Sequence, residues 1–130
     1  MKKILSLLVI AFVLIMTGCS VSNTPEDVAV KFMDALHSCD FEEAMKYCTE
    51  KAKGVVELQN VFYKEAQRKE PFEVTDPKVS LISCKISEDG ESAVVKVKVE
   101  NSSVTKGRES EERVNMVKED GKWLAEYSGK

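Results

Sequence analysis

The sequence predicts an α+β fold with helices in its first half and an antiparallel meander in its second, and three observations lead there. Apolar residues recur at three- and four-residue spacing from Val28 to Ala66, the period of a helix with one buried face. Beyond Pro71 the pattern changes to strict alternation, as in Val95, Val97 and Val99 against Lys96, Lys98 and Glu100, the period of a half-buried strand. Two Asp-Gly pairs, Asp89-Gly90 and Asp120-Gly121, supply hairpin turns inside that alternating half. Helices followed by strands, and not interleaved with them, exclude a parallel doubly wound sheet.

The elements follow in order. Thr24-Pro25-Glu26-Asp27 opens the first helix with a hydroxyl N-cap, a proline whose missing N–H costs nothing there, and two acids in the positive first turn. Its apolar stripe is Val28, Ala29, Phe32, Ala35, Leu36 and Cys39, with Lys31, Asp34 and Ser38 opposite. Asp40 with Glu43 forms a capping-box-like start for a second helix whose buried face is Phe41, Ala44, Met45 and Cys48. A third helical stretch, interrupted at Gly54, carries Val55, Leu58, Val61, Phe62 and Ala66 on its inner face and ends before Pro71. In the second half, Ile82, Cys84 and Ile86 share one face of a strand that turns through SEDGES into Val95, Val97 and Val99. The polar loop Asn101 to Arg108 leads to a strand with Val114 and Met116, and Trp123, Ala125 and Tyr127 share one face of the last.

Composition narrows the class of function. The chain has 130 residues, a net charge of -3, 32% charged and 43% hydrophobic residues, which suits one packed domain and excludes a multi-span membrane protein. Nineteen basic residues against 22 acidic ones give no cationic footprint for nucleic acid. At the N-terminus, Lys2 and Lys3 precede the 13-residue apolar run Ile4 to Met16. A spanning helix needs about 20 residues, whereas a signal peptide needs only this short run behind a cationic start.

Met16-Thr17-Gly18-Cys19 resembles the lipobox of bacterial lipoproteins. The resemblance implies cleavage between Gly18 and Cys19 and a diacylglyceryl thioether on Cys19; Met16 stands where leucine is commoner. The expected organisation is a signal peptide at 1–18, the lipidated cysteine and a short tether at 19–24, and a single domain at 25–130. Removing residues 1–18 takes away Lys2 and Lys3 and leaves 17 basic against 22 acidic residues. Membrane residence would therefore rest on the acyl chains. Ser20, where an aspartate retains some lipoproteins in the inner membrane, favours the outer membrane, facing the periplasm, in a host that has one.

The stretch TPEDVAVKFMDALHSCDFEEAMKYCTEKAK and the ending EDGKWLAEY are similar to small lipoproteins of the nuclear-transport-factor-2-like superfamily, in its branch of domains of unknown function. Pro25, Asp40, Ala44, Tyr47, Gly121, Lys122 and Trp123 carry the likeness, and Cys39 stands where glycine or a polar residue is commoner. The resemblance implies a curved antiparallel sheet wrapped around a long first helix, a cone whose open end holds a pocket. The superfamily includes enzymes and binding modules, so the fold does not choose between them.

Catalysis in such a cone needs an ionisable group held in the apolar cavity. The single histidine, His37, reads as a surface or capping residue at the end of the first helix. Asp34, Glu42, Glu43 and Glu57 fall on polar faces, and Glu109, Glu111 and Glu112 on a solvated strand edge or loop. The sequence shows no metal-ligand spacing, no Ser-His-Asp neighbourhood and no phosphate loop, so no catalytic residue, cofactor or metal is expected. Phe32, Phe62, Met116, Trp123 and Tyr127 are the candidate pocket lining, with core packing as the competing reading. The expectation is a non-catalytic envelope module binding a small ligand or protein partner, with an isomerase or dehydratase as the alternative and homodimerisation through the outer sheet face as a third use. Lys96, Lys98 and Glu100 make that face look wet.

Of the other cysteines, Cys39 precedes the Asp40 cap and Cys48 would lie eight residues beyond that cap along the second helix, about 12 Å at 1.5 Å per residue, too far for a disulfide between them. That leaves three buried or half-buried thiols, or one bridge between Cys48 and Cys84.

Overall fold

The protein, described by a computed structural model over residues 23–128, consists of helices α1 (Pro25–His37), α2 (Phe41–Ala44) and α3 (Glu50–Lys69), followed by strands β1 (Lys78–Ile86), β2 (Ser92–Glu100), β3 (Ser110–Glu119) and β4 (Lys122–Glu126). The strands form one antiparallel sheet in the order β1-β2-β3-β4, so the expected α+β meander is present.

Helix α1 begins as its sequence dictates. Thr24 Oγ1 accepts from the Asp27 N–H at 3.1 Å, and Pro25 occupies the first helical position. The helix packs on all four strands and buries Val28, Ala29, Phe32, Met33, Ala35, Leu36 and His37. Against it stand Val95, Val97 and Val99 of β2, Val114 and Met116 of β3, and Trp123 and Ala125 of β4. The chain leaves α1 through Cys39 at φ +60°, a left-handed conformation that glycine takes without strain.

Asp40 caps α2 through the Glu43 N–H at 3.3 Å, but the helix is shorter than expected. It ends at Ala44, tightens into a 3-10 turn over Met45–Tyr47, and leaves Cys48 extended. Cys48 bridges to Ala125, and the Thr49 N–H donates to the Ala125 carbonyl at 3.0 Å. The edge of β4 thus captures the backbone that would have continued the helix. Thr49 then caps α3 by accepting from the Ala52 N–H at 3.1 Å.

Helix α3 is the longest element, at 20 residues against 13 for α1, reversing the expected emphasis on a long first helix. It runs through Gly54 without interruption. Its inner face also differs from the expected one, since only Ala52 and Val56 are buried, with Gln59, Tyr63 and Gln67 half-buried below them. Leu58, Val61 and Phe62 are exposed, as is Ala66. The reason is that α3 meets only α2, the 3-10 turn and β4, so its C-terminal half has no sheet beneath it.

In the sheet, a bulge between Leu81 and Ser83 breaks the alternation expected of β1. Cys84 pairs with Val95 and packs against the core, while Ile82 falls in the irregularity and is exposed. Asp120 and Gly121 both have positive φ, the geometry of a two-residue Asp-Gly hairpin turn.

The meander places both hairpin turns, near Gly90 and Gly121, at the end where α1 starts. There the Asn23 side chain accepts from the Trp123 N–H at 2.7 Å. The loop Asn101–Glu109 lies at the opposite end, beside the last turn of α1. About 18 Å separates the two ends of α1 at 1.5 Å per residue.

A Cβ at Gly54 would meet nothing within 4 Å, and the residue is exposed in mid-helix. Gly54→Ala is expected to stabilise the protein by about 0.5–1 kcal/mol, read as a higher midpoint in thermal or urea unfolding.

Candidate functional site

At the far end of α1 the structure assembles a cluster that sequence reasoning missed. His37 is 4% exposed and Ser102 is 0% exposed. His37 Nδ1 lies 2.6 Å from Ser102 Oγ, and His37 Nε2 lies 3.4 Å from Glu112 Oε2. His37 is therefore no surface residue, and Glu112 is no solvated edge. Helix α1 delivers the imidazole, the 101–109 loop the hydroxyl, and β3 the carboxylate.

The hydrogen atoms can be assigned by elimination. Ser102 Oγ accepts from the Val104 N–H at 3.1 Å, which leaves its own hydrogen free for the imidazole. The facing imidazole holds Glu112 below its ordinary carboxylate range, against the opposing effect of burial; a hydrogen bond from Ser110 contributes in the same sense. Next to an ionised carboxylate, Nε2 must carry a proton. In the neutral ring Nδ1 then accepts from Ser102. The loop holding Ser102 is itself tied down, because Thr75 donates its N–H to Ser103 Oγ at 2.7 Å and its hydroxyl to the Asn101 carbonyl at 2.6 Å.

His37 and Glu112 form part of the wall of a cleft of about 380 Å³, together with Met33, Leu36, Phe41, Gln59, Phe62, Val104 and Tyr127. Its size falls at the lower end of the 300–1,000 Å³ typical of small-molecule sites. Gln59 of α3 donates to the Tyr127 hydroxyl at 2.9 Å, and Tyr127 stacks edge-on against Phe32 with ring centroids 5.4 Å apart. Phe62 is 64% exposed at the rim. Of the five candidate lining residues, Phe62 and Tyr127 reach this cleft, while Phe32, Met116 and Trp123 are buried in the core.

Cys39, Cys48 and Cys84 are free thiols, so the Cys48–Cys84 bridge is not formed, nor any other among the described residues. Burial raises the Cys48 thiol to about 11, with smaller effects from Lys53 and Glu50. Among the described residues no group of three or more His, Cys, Asp or Glu side chains is arranged to hold a metal ion, and no helix is long and apolar enough to cross a membrane. Cys19 and Gly18 lie outside the described residues.

No protein-family model and no curated protein matches the sequence. Two solved structures are similar in fold. One is a Campylobacter jejuni protein described as an NTF2-like transpeptidase, 25% identical, with 78% of this chain and 96% of that one covered at a TM-score of 0.52. The other is the intermembrane space region of the chloroplast protein ARC6, 14% identical, covering 83% of this chain and 94% of that one at a TM-score of 0.50. The fold is NTF2-like. Within that fold, the polar cluster sits where the helix end, the loop and the sheet meet.

Two outcomes are expected from this geometry. Because folding depresses the Glu112 pKa, its stabilising share is complete above the ordinary value of 4.5 and is lost as pH falls through the lower folded value. Glu112→Gln should reduce stability near pH 7 by about 1 kcal/mol or less and flatten the acid limb of a stability-versus-pH profile. At pH 8 a thiol titrating near 11 is about one-thousandth thiolate. Cys48 should therefore resist alkylation in the native protein and react on unfolding, as peptide mapping would read.

Proposed function

We propose that the protein is an exported bacterial lipoprotein, anchored through acyl chains on Cys19, whose NTF2-like domain is a non-catalytic module binding a small ligand in the His37–Glu112 cleft. The observation that carries the binding reading is the cleft itself, an apolar recess with a polar group fixed at its base, the usual composition of a ligand site. The anchoring reading rests on Met16-Thr17-Gly18-Cys19 behind a short apolar run. The two fit together spatially. Asn23 is held beside Trp123 at the end of the domain opposite the cleft, so a tether from Cys19 would join the domain at the end away from the cleft. The outer membrane, facing the periplasm, is the preferred location in a host with two membranes.

The transpeptidase description of the Campylobacter jejuni protein does not carry over easily, because acyl transfer needs a reachable nucleophile. Ser102 is wholly buried with its oxygen engaged by Val104 and His37, and Cys48 is buried with its thiol pushed up to about 11. One observation favours a second reading, an isomerase- or dehydratase-type enzyme: His37 and Glu112 are an acid–base pair inside a cleft.

Cys19→Ala is expected to abolish incorporation of a fatty-acid label and to move the protein out of the membrane fraction. Unchanged labelling and sedimentation would defeat the lipoprotein reading. Turnover of a small carbonyl or hydroxy substrate, lost in folded His37→Gln, would establish the enzyme reading in place of the binding one.

A further inference from the structure

We infer that the cleft selects an organic cation: a small molecule with one ammonium group and an apolar or aromatic body. The inference rests on the binding reading above and adds the class of ligand. Three observations carry it.

The first is the charge of the lining. Glu112 is the one ionised carboxylate among the residues that form the cleft, and no lysine or arginine is among them. The one acid in the lining therefore faces neither of the two permanently charged basic side chains. The second is the state of that carboxylate. His37 and Ser110 both address Oε2, at 3.4 and 3.2 Å, while Oε1 has no hydrogen-bond partner among the described residues. A carboxylate with one oxygen pinned and the other unused presents a fixed acceptor for an N–H⁺ donor, and charge-assisted bonds of this kind are stronger than neutral ones. The third is the surroundings. Helix α1 ends at His37, so the negative end of its dipole faces the same region. Phe41, Phe62 and Tyr127 line the walls, and aromatic rings attract cations through their quadrupole while covering apolar surface. An anionic ligand would face the Glu112 carboxylate with no lysine or arginine in the lining to offset the repulsion, and a neutral one without a donor would leave Oε1 unmatched.

The chain has one histidine, so the ring signals of isotopically labelled His37 report from inside the cleft in the purified full chain held in a lipid nanodisc. Three probes of one shape separate the alternatives at pH 7.5: phenethylamine as the cation, 2-phenylethanol as the neutral analogue and phenylacetate as the anion. Phenethylamine is expected to shift the His37 signals and to bind about tenfold or more tightly than 2-phenylethanol, with phenylacetate weakest. Glu112→Gln should erase the preference for the amine over the alcohol. Phe62→Ala, a change at an exposed rim position, should weaken amine and alcohol together. A preference for phenylacetate, or an amine preference that survives Glu112→Gln, overturns the cation class while leaving the cleft as a binding site. No response of His37 to any of the three overturns the cation class and the binding reading together.

Discussion

A four-stranded sheet has one face that must be kept from water, and in this protein α1 does most of that work. Phe32, Met33 and Leu36 on the helix meet Val95, Val97, Val99, Val114 and Met116 on the strands, and each fully buried side chain of this size contributes about 1.5–3 kcal/mol. The contact extends over all four strands, so the helix position fixes the sheet's inner face, and the sheet fixes the helix along its whole length. Eight of the 13 helical residues are buried. That count includes the last, and the last is a histidine.

Everything distinctive about the molecule follows from burying that imidazole. A polar group taken out of water costs free energy unless its hydrogen-bonding atoms are matched. Here the match comes from 65 residues further along the chain for Ser102 and from β3 for Glu112. Ser102 reaches the ring only because the 101–109 loop folds inward, and that loop is held by Thr75 and by the bond from Asn101 to the Asp76 carbonyl at 3.0 Å. The segment between α3 and β1 therefore supports a polar contact it never touches. Asp34, one turn earlier on α1, has its pKa raised by burial and by Asp76, with His37 pulling the other way, so Asp34, Asp76 and Glu112 are acids gathered at this end of the helix.

Local chemistry was legible in the sequence and long-range pairing was not. Thr24, Pro25 and Asp40 predict helix starts correctly because a cap depends on atoms three residues away. Asp120-Gly121 predicts its turn because two positive φ angles are a local demand. The alternation of β2 gives its buried valines, since a strand in mid-sheet has no freedom to slip. By contrast, the spacing around Cys48 is helical, and nothing nearby announces that β4 will capture it. Leu58, Val61 and Phe62 have helical spacing, but spacing alone does not say which of two neighbouring stripes finds a partner. In the sequence His37, Ser102 and Glu112 stand apart, as a cap, a loop residue and a strand edge. Their one sequence signal was a lone histidine on the flank of an apolar stripe, and their association exists only in three dimensions.

The two sides of the cleft are built to different standards, which bears on how it can work. Its base is pinned: His37 lies at the end of a fully packed helix, and both ring nitrogens face partners. Its outer wall is α3, a 20-residue helix with two buried residues. That helix is steadied by Thr49, by the Gln59–Tyr127 bond and by the Phe41–Tyr63–Phe72 ring contacts at 5.6 and 5.9 Å. Regions with few buried apolar contacts open at lower free energy than the core. Phe62 can therefore adjust while Glu112 keeps its place, so the charged end of a ligand would be specified by the rigid base and its apolar body accommodated by the compliant wall. The same asymmetry explains why Phe62 and Val104 remain exposed, at 64% and 58%: they border the cleft on its open side, where no further element of the described fold comes to cover them.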